Sequence, residues 1–206
     1  MARAELLYVA DPMCSWCWGF APVIKGLRER YPTAFDYRLV LGGLRAGPAA
    51  QPLAAIRTYL AQHWKEVERR TGQPFDHAFL EREGFLYDTE PACRAVVAAR
   101  RLGPDRAFDY MHGLQEAFYA RGLDPTSLDT ALAIADVTGF ARHEFSARYE
   151  SDDAKEETRA DFRHARDLGA RGFPSVLVRD NGRLTMVSQG WQPLADFERA
   201  LVHWLD

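Results

Sequence analysis

The chain has 206 residues, of which 47% are hydrophobic, 12% aromatic and 27% charged. Such a composition supports a buried core and argues against disorder. Lys and Arg number 26 against 29 Asp and Glu, a net charge of −3, which argues against nucleic acid as a partner. No apolar run is long enough to cross a membrane, and the first one, 6–10, is too short for a secretory signal. We therefore expect a cytoplasmic protein with no membrane partner.

The N-terminal part of the chain predicts a strand, a helix and a second strand. Residues 6–10 are unbroken apolar sequence that stops at Asp11-Pro12, as a strand buried on both faces does. Apolar residues between 20 and 31 recur at steps of three and four, which is typical of an amphipathic helix. Residues 35–41 give the second strand, closed by two glycines. The order is that of a βαβ unit.

The C-terminal part predicts a hairpin followed by a helix. The segments 174–178 and 184–188 flank Asp180-Asn181-Gly182, a turn sequence that tolerates positive φ. Apolar residues after Pro193 then follow at helical spacing. The chain thus ends as a ββα unit.

The middle of the chain, 44–150, predicts helices and no strand. Helical patterns cover 52–70, 90–102, 105–120 and 127–138, and a further helix is expected over 152–168. We predict an α/β fold in two parts, a redox domain made of 1–43 and 151–206 and a helical insertion domain made of 44–150. The stretch 42–52, rich in Gly, Pro and Ala, is the expected hinge.

The chemistry is predicted at Cys14-Ser15-Trp16-Cys17. Two cysteines three residues apart at the start of a helix share one face and lie within reach of a disulfide. The helix N-terminus favours the thiolate of Cys14, which makes it the attacking thiol. Cys17, one turn further on, is placed to resolve a mixed disulfide.

Two other interpretations of the cysteine pair have less support. A zinc site needs a second close pair of Cys or His, and only Cys93 and six scattered histidines remain. A purely structural disulfide here would close too small a loop to restrict the unfolded chain. We expect no metal and no organic cofactor.

A CxxC pair beside a βαβ unit is similar to the thioredoxin superfamily, and the long helical insertion resembles its DsbA-like branch. Within that branch, residues 11–20, DPMCSWCWGF, and 87–96, YDTEPACRAV, resemble the cytosolic predicted dithiol-disulfide isomerases related to FrnE. The resemblance extends over essentially the whole chain. It implies a thioredoxin-like fold and thiol-disulfide exchange.

The resemblance also implies how substrate is bound. Gly172-Phe173-Pro174-Ser175 matches the family's cis-proline loop, so Phe173–Pro174 is expected to be cis and to lie against the redox pair. Phe173 and Pro174, with Ser15 and Trp16 between the cysteines, are the expected substrate-binding residues. Trp16 is expected to be exposed, as part of an apolar patch that accepts unfolded polypeptide.

Several positions depart from the family's pattern. The strong oxidants carry a histidine between the cysteines, and this chain has Ser15-Trp16, so a strongly oxidising potential is not implied. Where relatives often have a buried acid, six residues before the first cysteine, this chain has Tyr8. Asp11 is the nearest carboxylate and is a candidate for proton transfer. Cys93 is expected to be a small buried core residue, and a second redox role would require it to reach the pair.

The sequence therefore predicts a protein disulfide reductase or isomerase that acts on protein thiols or on small thiols of the glutathione type. One alternative is a glutathione-dependent transferase or isomerase of the kappa or hydroxychromene-carboxylate type, although those relatives usually have serine at the position of Cys14. Another is a non-catalytic chaperone or adaptor that uses only the aromatic patch. Neither the oligomeric state nor the redox partner follows from the sequence.

Overall fold

A computed structural model of the chain describes residues 3–205. It contains a four-stranded sheet in the order β2-β1-β5-β6, built from β1 (Ala4–Ala10), β2 (Phe35–Leu41), β5 (Ser175–Asp180) and β6 (Arg183–Gln189). β1 pairs with β2 in parallel and with β5 antiparallel, and β5 pairs with β6 antiparallel. The helices are α1 (Ser15–Arg30), α2 (Leu53–Thr71), α3 (Glu90–Leu102), α4 (Ala107–Tyr119), α5 (Leu128–Val137), α6 (Arg142–Glu150), α7 (Asp152–Asp167) and α8 (Leu194–Leu205).

The predicted α/β class is confirmed: βαβ stands at the start of the chain and ββα at its end. β1 is central because residues 6–10 are buried, at 2% exposure or less, and so can lie between two neighbouring strands. The hairpin turn takes the positive φ that its sequence favours, 47° at Asn181 and 80° at Gly182. The same sheet thus joins the two ends of the sequence.

The expectation of no strand between 44 and 150 is wrong. β3 (Gln51–Pro52) and β4 (Leu86–Tyr87) form a two-residue antiparallel pair, too short to leave an alternating pattern in the sequence. Helix α6, which the sequence analysis did not predict, buries only Phe145 and Tyr149 on an otherwise polar segment. The division of the chain into two domains stays a prediction.

Arg100 connects the helices of the central segment to the sheet. From α3, its Nη1 donates to the Leu39 carbonyl and to Asp161 Oδ2, both at 2.7 Å, and its Nη2 donates to Glu157 Oε1 at 3.0 Å. Asp161 Oδ2 also accepts the Leu41 N–H at 3.0 Å. One side chain of α3 thereby joins β2 and α7.

Among the described residues, no helix combines the length and the apolar character that crossing a membrane requires.

Candidate active site

Cys14 lies at the junction of β1 and α1. It is the residue immediately before the helix, with extended backbone (φ −93°, ψ 115°). Its N–H donates to the Asp11 carbonyl and its own carbonyl accepts the Trp18 N–H, both at 3.1 Å. The loop and the first helical turn therefore fix the position of Cys14 from both sides.

The loop before β5 lies against this cysteine. Cys14 Sγ donates to the Phe173 carbonyl oxygen at 3.5 Å, and the Phe173–Pro174 peptide is cis, as predicted. Ser175 Oγ donates to the Gly172 carbonyl at 2.7 Å, which ties the two sides of the loop together. The structure thus brings together two segments 159 residues apart in the sequence.

Cys14 and Cys17 differ in their access to solvent. Cys14 is 5% exposed and lines an open pocket of 180 Å³, whereas Cys17 is fully buried. Both thiols are free. Burial raises the pKa of Cys17 well above its usual value, and the hydrogen bond to Cys14 and the charge of Cys14 act in the same direction. A substrate can therefore reach Cys14 from the pocket but cannot reach Cys17.

Asp11 lies fully buried behind the cysteine loop. Its Oδ1 accepts the Met13 N–H at 2.8 Å, and its Oδ2 accepts the Leu44 N–H at 2.7 Å and the Cys93 thiol at 3.4 Å. Burial raises the pKa of Asp11, and these hydrogen bonds, with one from Thr89, partly offset the rise. A carboxyl group with several donors, close to the redox pair, can hold a proton or a charge there.

Tyr8 lies six residues before Cys14, where the resemblance to thioredoxin-like proteins leads us to expect a buried acid. It is 2% exposed, and burial raises the pKa of its hydroxyl, with further contributions from the charges of Cys17 and Cys14 and from a hydrogen bond to Cys17. Its side chain thus faces the buried thiol as a neutral phenol.

The tryptophans near the cysteines, like Phe173, are all at least partly buried. Trp16, expected to be exposed, is partly buried because it packs against the main hydrophobic core, and the guanidinium of Arg70 lies over its ring, 5.3 Å from the centroid. Trp18 is buried at 3% exposure, and its indole N–H donates to the Pro74 carbonyl at 3.1 Å. Phe173 and Trp191 are partly buried. Trp16 and Phe173 remain on the surface of the pocket.

The pocket beside Cys14 also contains residues that the sequence analysis missed. They come mainly from the segment between β2 and α2, from α2 itself and from β4, and they are Leu44, Arg45, Tyr59, Leu60, His63 and Tyr87. The Tyr87 hydroxyl donates to the Met13 carbonyl at 2.6 Å, and burial raises its pKa. Tyr87 opens the segment 87–96 that carries the family resemblance, which is the one sequence signal for these residues. No spacing links the others to the cysteines, since only the fold brings α2 and β4 next to the start of α1.

The third cysteine takes no part in the opening of the pocket. Cys93 is fully buried on α3, as expected for a core residue. Across residues 3–205, no group of three or more His, Cys, Asp or Glu side chains is arranged to hold a metal ion.

Comparison with known proteins identifies the family. Residues 5–202 match the family model described as a DSBA-like thioredoxin domain. The structure superimposes with a TM-score of 0.89 on a candidate protein disulfide isomerase from Nitrosomonas europaea, which is 36% identical, over 99% of this chain and 98% of that one. It superimposes with a TM-score of 0.83 on the cytosolic disulfide reductase DsbM from Pseudomonas aeruginosa, which is 26% identical, over 98% of each chain. A second structure of DsbM contains glutathione.

A more distant similarity links the chain to proteins named for a different role. The ClpXP adapter protein SpxH of Bacillus subtilis is 25% identical over 173 residues, which are 84% of this chain and 57% of SpxH. The chain thus spans little more than half the length of these curated relatives. The similarity supports common ancestry of the matched region.

Proposed function

The chain belongs to the DsbA-like thioredoxin family, and from this premise we propose that it is a thiol-disulfide oxidoreductase that uses Cys14 and Cys17 to reduce or isomerise disulfides. The observation that carries the proposal is the contrast between the two free thiols. Cys14 lines a pocket with its Sγ 3.5 Å from the Phe173 carbonyl, and Cys17 lies fully buried one helical turn behind it. This arrangement supports an attacking and a resolving thiol.

The reaction transfers two electrons from the dithiol to the substrate. The Cys14 thiolate attacks one sulfur of the substrate disulfide, a mixed disulfide forms, and the other substrate sulfur leaves as a thiolate that takes up a proton. Cys17 then loses its proton and attacks Cys14 Sγ, which forms the Cys14–Cys17 disulfide and releases the second substrate sulfur as a thiol. Two thiols of the glutathione type return the pair to the dithiol.

Substrate binding is assigned to the walls of the pocket. Ser15, Trp16 and Phe173 line it together with Cys14, and Pro174 follows Phe173 in the same loop and is assigned to substrate binding with them. An extended peptide can lie across Trp16 and Phe173, which supply apolar surface next to the reacting sulfur.

We assign Asp11 the acceptance of the Cys17 proton in the second step. Cys17 must lose a proton in a site from which solvent is excluded. Asp11 influences the pKa of Cys17 in two ways, since its backbone lowers that pKa and its charge raises it. The raised pKa of Asp11 itself brings it closer to the range in which a carboxyl group can accept and return a proton.

The direction of the reaction depends on the compartment. DsbM, a structural neighbour, is described as a cytosolic disulfide reductase and has been observed with glutathione. We propose that this chain also works in the cytoplasm, where thiols predominate, so that reduction or isomerisation is favoured over net oxidation. On the same basis we propose glutathione-type thiols as partners, and residues 1–43 with 151–206 as the redox domain next to a helical domain at 44–150.

The relation to SpxH favours a second candidate, an adaptor that binds another protein without redox chemistry. It predicts that the double variant Cys14→Ser, Cys17→Ser binds its partner as well as the unaltered chain does. The glutathione-dependent transferase alternative is disfavoured by Cys14. Isomerase turnover by a Cys14→Ser variant that binds glutathione tightly would restore it.

The test is alkylation and intact-mass measurement of the protein across a series of ratios of reduced to oxidised glutathione. We expect two thiols to cycle together, the Cys17→Ser variant to accumulate a mixed disulfide on Cys14, and the Cys14→Ser variant to form none. Cys93→Ser is the matched control and should cycle as the unaltered chain does. Absence of any glutathione-dependent mass change at Cys14 would rule out the proposal.

A further inference from the structure

Two arginines near Cys14 have their guanidinium groups over aromatic rings. Arg45 lines the pocket beside Cys14, and Arg70 lies next to it, over Trp16. Arg45 Cζ lies 5.6 Å from the centroid of Tyr59, and its Nη1 donates to the neutral Gln51 Oε1 at 3.2 Å. Arg70 Cζ lies 5.3 Å from the centroid of Trp16 and 5.1 Å from that of Trp191. Within the part of the chain that the structure describes, the ion pairs include neither arginine.

The neighbouring Arg69 shows the usual alternative. Its guanidinium makes three hydrogen bonds of 2.8–3.1 Å to the carboxylate of Glu66. The donors of Arg69 are therefore already engaged within the protein. A guanidinium stacked on aromatic rings keeps the N–H donors at its edge, and these match a carboxylate in two-point geometry. Trp16 and Trp191 thus hold Arg70 in place, and the N–H donors of its guanidinium remain available to a carboxylate of a substrate.

The lining of the pocket in front of Cys14 carries positive charge although the chain as a whole is acidic. The net charge is −3, yet the residues that line the pocket include Arg45 and no Asp or Glu. Trp16 is a wall of this pocket and also the surface on which Arg70 rests. A disulfide that approaches Cys14 therefore meets cationic groups.

We propose that Arg45 and Arg70 select peptide disulfides that carry an acidic side chain next to the reacting cysteine. The inference rests on the proposed oxidoreductase function and specifies its substrate class. Ion pairs of partly exposed groups give each arginine about a two- to fivefold preference for an acidic over a neutral neighbour. A basic neighbour is disfavoured by repulsion from the same two groups.

The experiment compares two peptide disulfides that are identical except for Glu or Lys on both sides of the cysteine. The measured quantity is the ratio of kcat/KM for the Glu peptide to that for the Lys peptide. We expect a ratio well above one that falls as salt is added, falls towards one in Arg45→Gln and Arg70→Gln, and drops below one in Arg70→Glu. Arg70→Lys, which keeps the charge, should retain most of the ratio.

Arg69→Gln is the matched control, because it removes a neighbouring arginine of the same helix that is already paired. A ratio that stays the same in the Arg45→Gln, Arg70→Gln double variant, or that falls as much in Arg69→Gln, would overturn the inference. Failure to reduce either peptide, with no mixed disulfide at Cys14, would instead count against the oxidoreductase function itself.

Discussion

The thiol of Cys93 donates a hydrogen bond to Asp11 Oδ2 at 3.4 Å, and both side chains are fully buried. Burial raises the pKa of Cys93 well above its usual value, and the charge of Asp11 adds to the effect. Cys93 should therefore resist alkylation in the folded protein, as should Cys17. We expect rapid addition of one label, at Cys14, and three labels after unfolding, as measured by intact mass and peptide mapping. Labelling of native Cys93 as fast as Cys14 would contradict this assignment.

Asp11→Asn should change how stability depends on pH. Because the pKa of Asp11 is raised in the folded state, the folded chain binds this proton more tightly than the unfolded chain does. The free energy of unfolding therefore contains a contribution that is present below the ordinary carboxyl pKa of ~4 and is lost as pH rises through the raised value. The variant should lack this decrease, as measured by denaturant titration at a series of pH values.

The same substitution should act on the resolving thiol. Burial is the main cause of the raised pKa of Cys17, and the charge of Asp11 contributes to it, so Asp11→Asn should lower the pKa of Cys17, as measured by thiolate absorbance. Asp36→Asn is the control, since Asp36 lies at the far end of β2 with its side chain 60% exposed. Equal curves of thiolate absorbance against pH for the two variants would exclude an effect of the Asp11 charge on the pKa of Cys17.

Much of the fold follows from local sequence, and the reasons are physical. Residues 6–10 predict a central strand because only a strand between two others tolerates an unbroken apolar run. The turn at Asn181-Gly182 predicts a hairpin because few residues accept positive φ. Helix α6 could not be predicted in this way, since its mostly polar segment carries little apolar periodicity and is held by the burial of Phe145 and Tyr149.

The residues of the candidate site follow the same rule: those with a local sequence signal can be predicted, and those joined only by tertiary packing cannot. Cys14 and Cys17 were identifiable because their chemistry depends on a spacing of three residues. The contact of Asp11 with Cys93 joins positions 82 residues apart, and Arg70 reaches Trp16 only because α2 packs beside α1. Such contacts depend on tertiary packing, which leaves no periodic signal in a single sequence.

Gly42→Ala should disturb the loop that contacts Cys14. A Cβ at Gly42 would lie 2.1 Å from the ring of Phe173, and the Gly42 N–H is fixed by a 2.8 Å bond to the Ala10 carbonyl. Phe173 must therefore move, at a cost of about 1–3 kcal/mol in stability and with a lower kcat/KM towards a small disulfide. Gly172→Ala is the control, because nothing lies within 4 Å of the point that its methyl group would occupy. Equal activity of the two variants would refute the effect.

Arg100→Met should destabilise the protein without affecting the thiols directly. The substitution leaves Asp161, whose side chain is 14% exposed, without its cation, and it removes one of the two arginines paired with Glu157, so that only Arg101 remains there. The Leu39 carbonyl also loses its donor. We expect a loss of about 3 kcal/mol in the free energy of unfolding. Arg142→Met removes an ion pair whose arginine is 53% exposed and should cost less than about 1 kcal/mol. If chemical denaturation gave Arg100→Met and Arg142→Met similar losses in the free energy of unfolding, burial of the Arg100 network would contribute nothing to stability.

Pro22 and Gln73 should be energetically coupled. Pro22 lies inside α1 and has no N–H for the carbonyl four residues earlier, that of Trp18, which instead accepts Gln73 Nε2 at 3.0 Å. Gln73→Ala therefore leaves a carbonyl without a donor and should cost about 1 kcal/mol.

In a Pro22→Ala background the new N–H can bond to the Trp18 carbonyl, so Gln73→Ala should cost much less there. The double-mutant cycle, measured by denaturant unfolding of the four proteins, isolates this coupling. Additivity within about 0.5 kcal/mol would mean that Gln73 does not replace the missing helical hydrogen bond. A clear coupling would show that Gln73 anchors the segment after α2 on α1 through the Trp18 carbonyl. Pro22, five residues beyond Cys17, leaves that carbonyl without its helical donor.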